Sequence, residues 1–277
     1  MERTDVMTKP IGNVAIAGLL LFAGVPGAVR AQEPAPSSAP KPVVVQAPAA
    51  SPLPAGDAII AKYVEATGGV AAYDALKNRV AHARMEILGA GVVLDVTIYA
   101  ARPASLLMII ESEATGRIES GVSDGVVWEN SALRGAIVKD GAERDEALRD
   151  ATFDRMAHAP DYHTRIECTG LVDVGGKPAY RVVATPTTGS PQTLFFDKES
   201  ALLVRMESTV ASAGGQIAVV SEPGDFRKVG ALLMPFTSRM TVMGQQRMLT
   251  VETVEQDVAL PADRFALPAE IKALVKK

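Results

Sequence analysis

Cysteine, histidine and aromatic side chains are scarce in this sequence. Its 277 residues include one cysteine, Cys168, and three histidines, and aromatic residues make up 5%. A single thiol cannot form an internal disulfide, so stability must come from the packing of a core. Two of the histidines, His158 and His163, flank Asp161, but their spacing is neither a helical i,i+4 pair nor a zinc signature. The sequence therefore predicts no metal site, and none of its motifs predicts a cofactor.

An excess of positive charge is also missing. The formal net charge is -4. This charge gives no general attraction for the phosphate backbone of nucleic acid. Nucleic acid is therefore not an expected partner.

No apolar run is long enough to span a bilayer. The run at 11–25 is interrupted by Asn13, whereas a spanning helix needs about 20 apolar residues. Val29-Arg30-Ala31 follows, with small residues at the two positions that a signal peptidase reads. Residues 1–31 therefore predict a secretory signal peptide and export to the periplasm. No cysteine stands at the cleavage point, so the product is not expected to be a lipoprotein; the alternative is a retained membrane anchor.

Recognisable catalytic motifs are absent from the sequence. Gly89-Ala90-Gly91 begins a G-x-G pattern, but Leu94 replaces the third glycine and a strand-like run follows, which predicts a hairpin turn. Ser120, Ser123 and Ser131 lack the glycine context of a nucleophile elbow. The sequence predicts a protein that is not an enzyme, with an unrecognised hydrolase as one alternative.

Proline and alanine dominate residues 32–56. Such a segment cannot bury enough apolar surface to form a core, so it predicts an extended, disordered linker. No internal repeat or second change of composition follows. Residues 57–277 therefore predict one domain.

Short apolar runs that alternate with glycine, proline and aspartate turns fill most of this domain, most regularly at 177–222. Within one run, Met206 falls on the apolar face and Arg205 on the polar face, as the two-residue period of a strand requires. The runs predict an antiparallel meander of about 11 strands. One apolar face of such a sheet has to be covered.

Helical spacing is confined to a few segments. Residues 57–67, with Asp57 as the N-cap, and residues 70–76 predict two short helices before the strands. Residues 143–158 predict a helix in the middle of the chain, and the closing segment 265–275 predicts a short terminal helix. The predicted fold class is α+β.

Two apolar signals point to an internal cavity. The run from Leu106 to Ile110 is apolar on both faces, which predicts a strand that is covered on both sides or lines a cavity on one side. Methionines cluster in the last third of the chain, where their flexible side chains suit a surface that accepts variable apolar ligands. The alternative for the methionines is ordinary filling of the core.

Three motifs occur in an order that resembles a known family. Arg102-Pro103 precedes the apolar strand, Asp124-Gly125-Val126-Val127-Trp128 follows it, and Pro261-Ala262-Asp263-Arg264-Phe265-Ala266-Leu267-Pro268 stands near the end. Together with the predicted signal and the layout of helices and strands, this order resembles the periplasmic carriers of the LolA/LolB type and their outer membrane lipoprotein-sorting relatives. The resemblance covers residues 57–277.

The resemblance implies an incomplete, strongly curved antiparallel half-barrel whose concave face is covered by helices and holds acyl chains. It implies that Arg102 contacts the helical lid. The expected partners are lipids or the acyl chains of lipoproteins, with an envelope protein and transient membrane contact as further partners. The alternative is a domain that senses lipoproteins or assists envelope assembly. The expected ligand-binding residues are Arg102, Leu106, Met108, Ile110, Trp128, Met206, Phe236 and Met240.

Overall fold

A computed structural model describes residues 52–113, 115–212 and 214–276 of the chain. The predicted signal peptide and nearly all of the predicted linker lie outside these residues. The described part contains one antiparallel sheet of 13 strands and a few short helices. The strands are β1 (Asn78–Ile87), β2 (Val92–Ala101), β3 (Ser105–Ser112), β4 (Gly116–Ser123), β5 (Val126–Ser131), β6 (Gly135–Val138), β7 (His163–Val174), β8 (Lys177–Pro186), β9 (Gln192–Asp197), β10 (Leu203–Ser212), β11 (Gly215–Val229), β12 (Leu232–Val242) and β13 (Gln245–Gln256).

Two meanders form the sheet and meet where β1 pairs with β13. The strand order is β6-β5-β4-β3-β2-β1-β13-β12-β11-β10-β9-β8-β7, so the consecutive strands β6 and β7 lie at opposite edges. The sheet is strongly curved and does not close into a barrel. Because the chain between the two edge strands must cross the whole sheet, residues 139–162 run over its concave face. The topology thus places a helical segment at the mouth of the half-barrel.

The helices flank this crossing or lie within it. They are α1 (Gly56–Ala66), α2 (Val70–Asp74), α3 (Gly141–Ala151), α4 (Ala159–Tyr162) and α5 (Ala269–Val275), with a 3-10 turn at Arg155–His158. The helices α1 and α2 pack their apolar side chains on the concave face of β8 to β10, where Ile60 and Tyr63 meet Phe196. No helix in the described residues is both long and apolar enough to cross a membrane.

The concave face carries most of the core. Alternate residues of β1, β2, β3, β12 and β13 form one apolar cluster, which includes Met85, Leu94 and Leu249. The convex face of β2 to β5 has its own cover, because Ile271 of α5 packs on Leu107 of β3 and on β5. The run from Leu106 to Ile110 is therefore covered on the convex side, while Leu106 and Met108 line a cavity on the concave side, which is the second of the two outcomes that its composition predicts.

The start of α1 differs from the prediction. The N-cap residue is Ala55, and Asp57 already lies in the helix, with its carboxylate accepting a hydrogen bond only from the neighbouring amide of Ala58. The helix begins at Gly56 because it lies against β7 there: a Cβ atom at Gly56 would stand 2.8 Å from the amide nitrogen of Glu167. Close packing, and not side-chain capping, fixes this end.

The helix predicted at 143–158 is wrong as one continuous element. The helix α3 ends at Ala151, Thr152 turns out of it with ψ 118°, and Asp154 adopts φ 55° before the 3-10 turn. The break is held by the amide of Phe153, which donates to the carbonyl of Pro103 at 3.0 Å. A tertiary hydrogen bond therefore replaces the next helical one.

The strand count also differs from the predicted figure of about 11. The short strand β6 follows the tight turn after β5 and has no strong apolar run of its own. The runs predicted at 217–220 and 225–229 are one strand, β11, in which Asp225 has φ 49° while the register with β12 is the same on both sides of it. Continuous pairing with β12 keeps the two runs in one ladder.

Candidate functional site

A cavity of about 200 Å³ lies between the concave face and its helical cover. Its apolar wall comes from β2, β3 and β13, with Ile98, Met108, Leu249 and Val251 among the lining residues. An apolar cavity of about 150 Å³ is enough to bind benzene. The observed cavity is therefore slightly larger than a benzene site and too small for a long acyl chain, so a ligand of that length would fit only if the cover moved.

The roof of the cavity is the segment at which α3 ends. Residues 149–156 line the cavity from Arg149 to Met156, and Tyr63 of α1 and Tyr73 of α2 complete the cover. The hydroxyl of Tyr73 donates to Thr67 Oγ1 at 2.7 Å, which ties α2 to the end of α1. The roof thus consists of short segments whose apolar side chains share one cluster and which polar contacts also join.

Arg102 joins the sheet to this cover. It ends the β2 ladder next to a cis peptide bond to Pro103. Its Nε donates to the carbonyl of Leu76 at 2.6 Å, and its Nη2 donates to the carbonyl of Tyr73 at 2.7 Å. The carbonyl of Tyr73 lies in the last turn of α2, and that of Leu76 lies two residues beyond the end of this helix. The guanidinium therefore holds α2 against the rim of the sheet.

A second arginine holds the roof from below. The carboxylate of Asp154 lies 2.8 Å from Arg79 of β1, and the side chains of both residues are buried. The guanidinium groups of Arg79 and Arg102 also lie over the ring of Phe153, at 4.6 and 5.1 Å from its centre. Burial raises the pKa of Asp154, and the charge of Arg79 lowers it in part. Two arginines from the sheet thus clamp one aromatic residue of the roof.

The helix α3 bridges the two halves of the sheet. On one side Ala151 packs on Val122 of β4 and Val127 of β5. On the other side, Glu146 Oε2 accepts a hydrogen bond from the amide of Ala211 in β10 at 2.7 Å, and Arg149 Nη1 donates to the carbonyl of Thr188 at 2.8 Å. The attachment to β4 and β5 is apolar, whereas the attachment on the β10 side consists of hydrogen bonds. Hydrogen bonds to water can replace those on the β10 side.

Solved structures of other proteins share this architecture. A DUF1329 family protein from Desulfovibrio piger matches with a TM-score of 0.54 and 14% identity, over 78% of this chain and 98% of that chain. A LolA superfamily protein from Nitrosomonas europaea matches with a TM-score of 0.53 and 15% identity, over 78% and 99%. The fold of this chain is LolA-like.

A third match points the same way. A putative outer membrane lipoprotein-sorting protein domain from Vibrio parahaemolyticus has a TM-score of 0.54 and 12% identity, over 80% of this chain and 98% of that chain. No protein-family model matches the chain, and no curated protein matches it. At these identities the likeness shows the fold, and the fold is the one that the three motifs indicated.

The LolA-like cavity gathers some of the predicted ligand-binding residues. Leu106, Met108 and Met206 line it. Ile110, Phe236 and Met240 face the same side of the sheet but are packed in the apolar cluster beside the cavity. Their binding of a ligand remains a prediction that depends on movement of the cover.

Trp128 needs a correction, because it does not belong to this site. It lies opposite Gly121 on the convex face, where a Cβ atom on Gly121 would meet the indole at 2.8 Å. Ile271 of α5 covers it. Trp128 is therefore a core residue of the convex side, since the neighbouring Val127 takes the concave position in β5.

Several lining residues are not among the predicted ligand-binding residues. Arg79, Arg149, Asp150, Arg155 and Gln192 all line the LolA-like cavity. Gln192 carried a usable signal, because it is the polar start of an otherwise apolar run, and it is buried at 6% exposure. The arginines and aspartates of 149–155 look like a solvated helix surface, and only the fold turns them inward.

The histidines have structural partners. His158 Nε2 lies 2.7 Å from Asp74 of α2, which links the 3-10 turn to α2. His163 is buried, and its Nδ1 donates to the carbonyl of Ala159 at 2.6 Å. Burial lowers the pKa of His163, and Arg155 and Arg149 lower it further. No group of metal-ligating side chains occurs among the described residues.

Proposed function

We propose that this protein is a periplasmic carrier that holds the acyl chain of a lipid or an acylated protein in the cavity beneath the helical cover. The observation that supports the proposal is the cavity itself, which has an apolar wall on the sheet and a roof of short segments. Burying an acyl chain releases about 0.8 kcal/mol for each methylene. A chain of ten or more methylenes therefore provides more free energy than opening a few polar contacts of the roof costs, at about 1–3 kcal/mol each.

The proposal includes a folded carrier domain from residue 57 onward, export directed by residues 1–31 and no catalytic activity. The LolA-like fold supports the carrier role, because one of its structural relatives is a putative outer membrane lipoprotein-sorting domain. Arg102 is the proposed latch. It holds α2 closed when the cavity is empty and releases α2 when a chain enters.

Extraction of bound molecules tests the carrier role most directly. The protein is purified from its own periplasm without detergent, extracted with organic solvent and analysed by mass spectrometry. We expect stoichiometric acyl-containing molecules. If the purified protein carries none, and the delipidated protein binds no fatty acid or hydrophobic dye, the carrier role is wrong.

A cavity-filling variant links binding to this site. Ser208 lines the cavity on β10 and is half-buried, so Ser208→Trp places a large side chain in it. Ala218 is exposed on the neighbouring strand β11 and points to the convex face, so Ala218→Trp is the matched control. We expect Ser208→Trp to lose most of the bound lipid and Ala218→Trp to keep it. Equal binding by both variants would place the ligand elsewhere.

A further inference from the structure

One corner of the cavity is charged and only partly compensated. It is formed by Arg149, Asp150, Arg155 and Gln192, and we refer to these four residues as the guanidinium corner. The first three come from the end of α3 and the turn that follows it. Gln192 comes from the first position of β9, opposite Ala184 on the concave face. The corner therefore joins the roof to the sheet.

The carboxylate of Asp150 accepts hydrogen bonds from both arginines of the guanidinium corner. Arg149 donates to it through Nε and Nη2 at 2.8 and 3.1 Å, and Arg155 donates through Nη2 at 3.2 Å. The other carboxylate that lines the cavity, Asp154, is paired with Arg79. The lining therefore has three guanidinium groups and two carboxylates. All the side chains of the corner are largely shielded from water, so this excess positive charge has little solvent to stabilise it.

Unused hydrogen-bond donors lie at the same place. Arg155 Nη1 is buried and has no acceptor among the described protein atoms. Gln192, which is only 6% exposed, lines the cavity at the same place and carries an amide that can donate to a ligand. Burial lowers the pKa of Arg155, and the nearby charge of Arg149 adds to the effect. A guanidinium nevertheless stays protonated in proteins, so the corner keeps donors and charge that an anion can satisfy.

The opposite wall of the cavity is apolar. Ile98, Met108, Leu249 and Val251 supply it from β2, β3 and β13. A ligand that fits both walls has an alkyl part and one negatively charged group. An acyl chain that is joined to a protein through an ester or amide bond carries no such group at the join.

We propose that the cavity binds a free anionic amphiphile, whose oxyanion is bound by Arg155 and Gln192 and whose alkyl chain lies against the wall of Ile98, Met108, Leu249 and Val251. The inference rests on the proposed carrier role and narrows it from acyl chains in general to amphiphiles with an oxyanion. A carboxylate and a phosphate monoester share this chemistry, because both present several acceptor oxygens to a guanidinium.

Three probes of equal chain length test the proposal on the delipidated full-length protein: dodecanoate, dodecyl phosphate and dodecanol. Binding is measured by calorimetry at neutral pH. We expect at least one of the two anions to bind about tenfold or more tightly than dodecanol, the change that one charge-assisted hydrogen bond produces. The anion that binds more tightly shows whether the site prefers a carboxylate or a phosphate monoester.

Variants of Arg155 test whether the guanidinium corner causes the preference for anions over dodecanol. Arg155→Met removes the charge at similar volume and should abolish the preference for the anion while dodecanol binds as before. Arg155→Lys restores the charge and should restore most of the preference. Arg84→Met is the control, because Arg84 is exposed on the convex face. Circular dichroism checks that each variant is folded.

The outcomes separate the two proposals. If dodecanol binds as tightly as both anions, the anion inference is wrong and the carrier role stands. The same conclusion follows if folded Arg155→Met keeps the full anion preference. If none of the three probes binds, the carrier role itself is wrong, and the proposed anion site is wrong as well.

Discussion

Replacement of Arg102 by leucine tests the latch. The substitution removes the two hydrogen bonds to the carbonyls of Tyr73 and Leu76 and keeps an apolar side chain near Phe153. The fold should survive, because Arg102 lies at the end of β2 and the pairing of β2 with β1 and β3 depends on backbone groups. The closed position of α2 should become less stable.

The magnitude follows from the geometry of these contacts. Hydrogen bonds to a charged group contribute about 1.5–3 kcal/mol. The side chain of Arg102 is 33% exposed, and its ion pairs with Asp74 and Asp154 are long, at 3.6 and 3.7 Å, so we assign this range to all its contacts together. At 1.4 kcal/mol for each factor of ten, the open form of the cover should become about ten- to one-hundredfold more populated.

Stopped-flow uptake of a fluorescent fatty acid measures this change. We expect the initial rate in Arg102→Leu to rise by about tenfold if opening limits uptake. Arg84→Leu is the control, since this arginine lies on the convex face and makes only exposed ion pairs. A folded Arg102→Leu protein with unchanged uptake and release would refute the latch.

Three further predictions address the rest of the chain. The exported protein should begin at Gln32, which intact mass measures; a full-length, membrane-bound product would contradict a soluble carrier. Cys168→Ser should keep ligand binding and lose at most about 1–3 kcal/mol of unfolding free energy, because the thiol is half-buried beside the core; a folded variant that no longer binds would instead indicate a functional thiol. His163 has a lowered pKa, so the unfolded chain binds its proton more tightly and stability should fall as the pH drops below about 6.5. His163→Asn, which keeps a donor for Ala159, should weaken that dependence in urea unfolding at neutral and mildly acidic pH, and an unchanged dependence would assign it to other groups.

The sequence determined the fold class through patterns that need no knowledge of the tertiary structure. Alternation along each strand depends only on the two-residue period of the backbone, so the antiparallel sheet and the two apolar faces of 106–110 were predictable. Arg102 could be assigned to a contact with the lid because the motif with Pro103 resembles that of the carriers. Its two acceptors, the carbonyls of Tyr73 and Leu76, lie before β1 in the chain, and the pairing of β1 with β2 brings them to Arg102.

The tertiary structure alone decided which face of each strand lines the cavity. Parity separates Trp128 from Val127 but does not say which of them is concave, because that depends on the curvature of the whole sheet. The break at Thr152 was not predictable from the sequence either. It follows from contacts of Phe153 with the turn after β2 and of Asp154 with β1, and both of these partners are distant in sequence. Arg155 and Gln192 meet only because the chain between the two edge strands has to cross the concave face. Long-range topology, which local periodicity does not encode, therefore placed the charged corner in the cavity.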